Sequence, residues 1–523
     1  MIGLFFGVLL LLAYQGSREN RLEGRIVDDQ TGQPVAATLL VSGSDGKALE
    51  IEGSHTHVEY LGKRRCYVDG AFALHARPGR LMIEVRRGLE TMPLKTEVDF
   101  TRPLSEHLTL RLRRWINMRE RGYLSGDTHV HFLSQAESHL QMRAEDLNIL
   151  NLMVSDFTND REKFTGKLDP VSTPGHAVYV GQESRDWQNG HVLLLGIRRI
   201  IEPFEPFGGK FRDRTEPNLL MARILKEARG QGGVNTWAHF CNLPGAESPI
   251  DIALGFVDAV DLITYDDPTG LPSHWGPWTN SGMSQGEFTV MRSLDLYYQY
   301  LNAGFQVPIG AGTDKMGDYI PVGSNRLYTP ATGESSYEKW LAGLKAGNGF
   351  VTNGPILTFD VDGQTSGEVV SFKGAHRVRA RATAKSILPF QGLEIVVNGE
   401  TAAVRNTPGR NQPGADGLYS VELEAAVELD RSSWIAARVA DSPGARNRIL
   451  PRGLTVFAHT NPVYFLRDGA KVRELSSVNY LQKYVKGTIH WLNTGARFRS
   501  AEEKEEALRL AEEARQVYSK LAE

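Results

Sequence analysis

Residues 291–314 read MRSLDLYYQYLNAGFQVPIGAGTD. Leu294 to Leu301 places apolar side chains at helical spacing, Gly304 ends the helix, and Val307 to Gly310 is a short strand running into Gly312-Thr313-Asp314. Residues 215–239, TEPNLLMARILKEARGQGGVNTWAH, carry the same pattern. Thr215 and Pro217 suit a helix start, and Leu219, Leu220, Ile224 and Leu225 form an apolar face. Gly230 stops that helix, and Gly233 to His239 reads as a strand. A further helix runs from Ser336 to Lys345 and stops at Gly347. Alternation of this kind over residues 122–357 predicts an α/β domain with a parallel sheet, open or closed into a barrel.

In such folds the polar residues just beyond the strands converge on one face. The residues found there are of metal-binding type. In Gly126-Asp127-Thr128-His129-Val130-His131 the two histidines are two apart, so on a strand both point to the same side. Glu183 follows the apolar run Ala177 to Val180, His191 opens Val192 to Leu195, His239 closes a strand, and Asp314 closes another. Imidazole and carboxylate suit zinc, manganese or iron, and a catalytic site needs about three protein ligands with one open position. Singly, each has a plainer reading: a core histidine for His191, an Arg185 partner for Glu183, a helix cap for Asp314. The ordered set points to a metal.

Residues 21–115 differ in texture. Short strand-like runs are separated by Thr31-Gly32, Asp45-Gly46, Asp69-Gly70 and Pro78-Gly79, the spacing of a small β-sandwich. The segment GRIVDDQTGQPVAATLLV (24–41) with YVDGAFALHARPGRLMIEV (67–85) resembles the carboxypeptidase-regulatory-like, transthyretin-type sandwich. His55 and His57 lie inside it without an acidic third ligand and read as a solvated loop. Alternating runs return over residues 358–465, at His376 to Ala384, Leu393 to Val397, Tyr419 to Leu423 and Trp434 to Ala440, and predict a second β-sandwich. The tail, 466–523, ends in a helix whose Ala507, Leu510, Ala511, Ala514, Val517, Tyr518 and Leu521 form one docking face, for the protein's own body or for a partner.

The chain has 523 residues, 41% hydrophobic and 23% charged, with a net charge of −3. This composition suits a core-forming protein and gives no basic field for nucleic acid. Two cysteines, Cys66 and Cys241, exclude a disulfide scaffold or a cysteine-rich zinc module. Met1 to Ala13 is uncharged and almost wholly apolar, too short to span a membrane, and fits the core of a secretory signal over residues 1–16. Export to the periplasm or the extracellular space is the expectation, with no transmembrane span. Oligomeric state is open at this level.

The phrases LSGDTHVHF, VGQESR with GHVLLLG, WAHF, GAGTDKMG and SNRLYTPATGESSYEKWLAGLKAGNGFVTNGPILTFDVDG resemble the PHP superfamily of metal-dependent hydrolases, and within it the carbaryl-hydrolase-like CehA/McbA family. The resemblance implies a distorted (β/α)7 barrel between the two sandwiches, holding divalent ions. By position, His129 and His131 would bind a first ion with Glu183 and Asp314, and Glu183 would bridge to a second held by His191 and His239. Two phrases depart from the family pattern: Val154-Ser155-Asp156-Phe157 lacks a histidine, and Asp314-Lys315-Met316 replaces Asp-x-His. Both departures remove ligands for a third ion, so one or two ions (Zn, Mn or Fe) are expected.

The function implied is hydrolysis of an amide, carbamate or ester bond of a small molecule by metal-bound hydroxide. A PHP-type phosphoesterase is the enzymatic alternative, and a non-catalytic surface or glycan-binding protein with a degenerate site is the other. Asp127 and Asp314 are the candidate proton carriers, Asp127 having also a structural reading. Arg326 and Lys315 are the candidate substrate contacts, against a salt bridge for the first and solvent for the second. His139 and His176 are minor ligand candidates. Trp237, Trp275 and Trp278 are candidate pocket walls, and Asn353-Gly354-Pro355 reads as a closing turn.

Overall fold

The computed structural model describes residues 19–60, 62–102, 104, 106–158, 160–186, 188–204, 217–240, 245–264, 293–331, 336–407, 412–440, 450 and 454–523. The signal stretch, Thr215, Cys241, Trp275 and Trp278 lie outside them. Within them the chain is mixed α/β, with seven α-helices and strands in several sheets. No helix of the described residues is long and apolar enough to cross a membrane.

The central sheet has fifteen strands. Its first half orders them Ile309–Ala311, Ala259–Ile263, Val234–Trp237, Gly190–Leu195, Ala177–Asp186, Ile149–Ser155, Tyr123–Val130 and Arg326–Pro330. Tyr123–Val130, Ile149–Ser155 and Ala177–Asp186 pair in parallel, as do Val234–Trp237, Ala259–Ile263 and Ile309–Ala311. Gly190–Leu195 is antiparallel to both of its neighbours, which interrupts the expected all-parallel alternation. The two sides of this array approach each other, since Val130 and Lys315 form an isolated parallel bridge and the His131 amide donates to the Lys315 carbonyl at 3.1 Å. No continuous ladder of the described residues closes the array, so a closed barrel is not what the strand pairing gives.

Helices cover the array where the alternation places them. Ser293–Asn302 and Tyr337–Ala346 match the expected segments, and Gly347 ends the second in the left-handed conformation at φ 66°. Trp340 of that helix lies so close to Gly126 that a Cβ there would sit 2.3 Å from the indole. The helix Met221–Gly230 begins later than the sequence suggests. The Glu247 carboxylate, not a local cap, accepts from the Met221 and Ala222 amides at 2.9 and 2.8 Å.

Residues 20–112 form a three-stranded and a five-stranded sheet around one apolar core that includes Leu22, Leu39, Phe72 and Ile83. Cys66 is a buried free thiol there, and His57 contacts Arg64. The C-terminal strands continue the central sheet. Phe350–Thr352 pairs antiparallel with Phe457–Thr460, which carries the central sheet on through Ser433–Ala440 and Gly392–Val397 to Glu400–Asn406. A three-stranded sheet of Ile356–Val361, His376–Ser386 and Tyr419–Leu429 shares an apolar core with that extension. The tail holds two helices, Leu475–Thr494 and Ala501–Ala522. Ala507, Leu510, Ala511, Ala514 and Tyr518 are buried against the body, and the Tyr518 hydroxyl donates to the Pro249 carbonyl at 2.7 Å.

Candidate metal centre

All six expected ligands meet. His129 and His131 stand at the end of Tyr123–Val130 and just past it, Glu183 and His191 on an adjacent antiparallel pair, His239 two residues beyond Val234–Trp237, and Asp314 three beyond Ile309–Ala311. Each is 6% exposed or less. His129 Nε2 lies 2.9 Å from His131 Nε2, 3.6 Å from Glu183 Oε1 and 3.5 Å from Asp314 Oδ1. Glu183 Oε2 is 3.2 Å from His131 Nε2, and Glu183 Oε1 is 3.1 Å from His191 Nδ1. His239 Nε2 is 3.6 Å from both Glu183 Oε1 and Asp314 Oδ2. Among the described residues, three sets of donor atoms are compact enough to hold an ion: His129, His131 and Glu183; His129, His239 and Asp314; and Glu183, His191 and His239.

The electrostatics ask for positive charge at the middle. Burial opposes charge on His129, yet Asp314 and Glu183 raise its imidazole to about 9. Burial also opposes ionised carboxylates, but His129 and His239 hold Asp314 down, and Arg185 and His129 hold Glu183 well down. Burial drives His239 to about 3 although Asp314 pulls it upward. Imidazole nitrogens facing one another across 2.9 Å, flanked by carboxylate oxygens, need a proton or a cation between them. Four imidazoles and two carboxylates therefore fit a divalent ion of the zinc, manganese or iron type.

The backbone here is unusual. Phe132, His239 and Asp314 all adopt positive φ, at 61°, 45° and 46°. Such conformations cost non-glycine residues about 1–3 kcal/mol and tend to gather at functional sites. Gly312 permits the approach of two strands: a Cβ there would lie 2.5 Å from His129 Cβ.

Other expected site residues take structural places. Asp127 is wholly buried. Its Oδ1 accepts from the His129 and Thr313 amides at 3.0 and 2.9 Å, and its Oδ2 from the Thr313 hydroxyl and from the Gly323 amide at 2.7 Å. That carboxylate ties three chain segments together and has no lone pair directed at the centre for a proton. Lys315 does not face solvent: at 1% exposure it donates to the Gly317 and Ile320 carbonyls at 2.6 and 2.7 Å. Arg326, also 1% exposed, donates to the carbonyls of Gly323, Glu145 and Asp146. Lys315 thereby satisfies two carbonyls of its own loop, and Arg326 satisfies carbonyls both of that loop and of the turn at Glu145-Asp146, away from water. His176 and His139 bond to Leu147 O and Thr173 Oγ1, away from the ligands. Trp237 packs beneath Gly190, and Asn353 is fastened to the Thr455 carbonyl and the Phe457 amide.

Sequence reasoning missed several neighbours. Asp261, buried in the apolar strand Ala259–Ile263, accepts from Thr128 Oγ1 at 2.7 Å, and burial raises it to about 7. A lone acid in the strand AVDLI was the available signal. Phe157 sets its ring edge-on to His131 at 5.0 Å, and Phe132, 48% exposed, packs on Phe157 at 5.5 Å. Arg185 lies 4.1 Å above the Phe157 ring and 3.6 Å from Glu183. Compared with protein-family models and with curated proteins, the chain matches none.

Proposed function

We propose that the chain is a metal-dependent hydrolase of small molecules, built on a PHP-like distorted barrel of the CehA/McbA type between two sandwich-like β regions, and acting on an amide, carbamate or ester bond. The observation that supports this best is that Glu183 is common to two of the three compact donor sets, the place a bridging carboxylate would take. His129, His131 and Asp314 would hold a first ion with Glu183, and His191 and His239 a second. A bound divalent ion lowers the pKa of its water towards about 7 and polarises a substrate oxygen.

The chain's own groups then have separable tasks. Asp127 fixes the His129 backbone and the Thr313 turn, so the ligands keep their direction. Asp261 and Thr128 steady the strand beneath His129. Of the two proposed proton carriers only Asp314 keeps its carboxylate within the cluster. Arg185 brings a guanidinium to the rim, where it suits an oxygen that gains charge. Phe132 and Phe157 form an apolar lip for the rest of the substrate.

Metal analysis of the purified chain, followed by chelation and re-addition of zinc, manganese or iron, tests the reading. One or two ions per chain, with hydrolysis of aryl esters or carbamates lost on chelation and restored by metal, is the expected result. Turnover of phosphoesters alone would move the assignment to a phosphoesterase. Absence of bound metal under excess zinc, manganese and iron would favour a binding protein instead.

A further inference from the structure

A second cavity lies where three regions of the chain meet. Arg65 and Arg86 come from the N-terminal sheets, Glu145, Ser324 and Arg326 from the metal-bearing region, and Leu388 from the C-terminal strands. It encloses about 60 Å³. A single water needs roughly 10–15 Å³ measured this way, so there is room for several waters or one small polyatomic anion.

Its wall is mostly apolar, from residues such as Val58, Leu89, Ile387 and Leu450, and its charged members are three arginines, Arg65, Arg86 and Arg326, and one acid, Glu145. Arg65 is 2% exposed and pairs at 2.6 Å with Glu84, a carboxylate that Lys63 also contacts at 2.8 Å. Arg326 bonds only neutral carbonyls, and no carboxylate of the described residues lies within ion-pair distance of it. Glu145 acts on it through space without forming an ion pair, so a further anion in the cavity would meet a buried guanidinium that has no carboxylate of the described residues in contact. The Ser324 hydroxyl on the same wall is buried and has no hydrogen-bond partner, leaving a donor free for an oxygen. Leu388 supplies an apolar side, which strengthens charge-assisted bonds by excluding water.

We propose that this junction cavity binds a small oxyanion, a phosphate or a carboxylate, held by the guanidiniums and Ser324 Oγ. The site is separate from the metal cluster and does not depend on the hydrolase reading. One link between the two is Gly323, whose amide donates to Asp127 and whose carbonyl accepts from Arg326.

The test is calorimetric titration of the full chain with inorganic phosphate and, separately, with acetate, using sodium chloride to match ionic strength. Saturable binding of at least one anion is expected, and the arm that binds tells phosphate from carboxylate. Ser324→Leu fills the cavity and should abolish binding. Arg86→Gln should weaken it about tenfold, the loss of one charge-assisted contact. Phosphate also ligates metal ions, so Glu183→Gln, which alters the cluster alone, serves as control and should bind as the parent does. No saturable binding of either anion overturns the proposal. So does binding that vanishes in Glu183→Gln yet survives in Ser324→Leu. Should Ser324→Leu fail to fold by circular dichroism, unchanged affinity in Arg86→Gln overturns it equally.

Discussion

Glu183 touches His129, His131, His191 and His239 at once, so it links the two sides of the cluster. Glu183→Gln keeps the shape and removes the charge. Bound metal measured by mass spectrometry after dialysis should fall, and hydrolysis should drop by at least about 100-fold, since even groups behind a ligand are worth 10–100-fold. Full metal retention would count against the bridging role. Phe132 makes the opposite kind of prediction. Its positive φ and half-exposed ring imply that Phe132→Gly stabilises the chain by up to about 1 kcal/mol in urea unfolding while raising KM for bulky substrates. A variant less stable than its parent would show that the ring, not the backbone, dominates there. The six cluster residues were legible because each stands beside a strand in a recognisable phrase such as THVH or GTD. The duties of Asp127, Lys315 and Arg326 were not. Thr313 and Gly323, which use up the Asp127 carboxylate, are 186 and 196 residues away from it.

Among elements, the helix Met221–Gly230 shows how a local signal is overruled. Thr-Glu-Pro has the residues of a helix start, yet the acceptor at the actual first turn is Glu247, 26 residues on from Met221. Glu247 is buried, and burial lifts its carboxyl to about 8. Glu247→Ala should cost about 1–2 kcal/mol, in the range for a lost helix cap, read from urea unfolding. An unchanged midpoint would mean that packing of Ile224 and Leu225 alone holds the helix in place. The helices at 293–302 and 337–346 were readable to within a few residues, because apolar spacing and stop glycines act within one turn of the chain. The antiparallel placement of Gly190–Leu195 was not, since its short apolar run fits either direction of pairing.

Across the whole molecule, the joint between the N-terminal sheets and the region carrying the His/Glu/Asp cluster is ionic. Asp146 meets Arg87 at 2.6 Å and Arg114 at 2.5 Å, while Glu90 accepts from Tyr328 Oη at 3.0 Å and the Met118 amide at 2.8 Å. Burial, with Asp146 nearby, raises Glu90 to about 7 from 4.5. The folded state thus binds a proton that the unfolded chain has released, so this group's contribution is intact below pH 4.5 and is lost as pH climbs through about 7. Thermal unfolding of Glu90→Gln should show a flatter decline over that window than the parent, and identical slopes would exclude Glu90 as the source. The joint was invisible in the sequence, where Glu90, Arg114 and Asp146 belong to distant and unremarkable phrases. The same holds for the strand Phe350–Thr352, whose pairing with Phe457–Thr460 makes the ligand-bearing strands and the far C-terminal ones a single fabric. A piece cut after residue 357 would carry every histidine and acid of the cluster but end in a raw, unpaired margin. Such an excised half is expected to clump on size-exclusion chromatography instead of running as a monodisperse species.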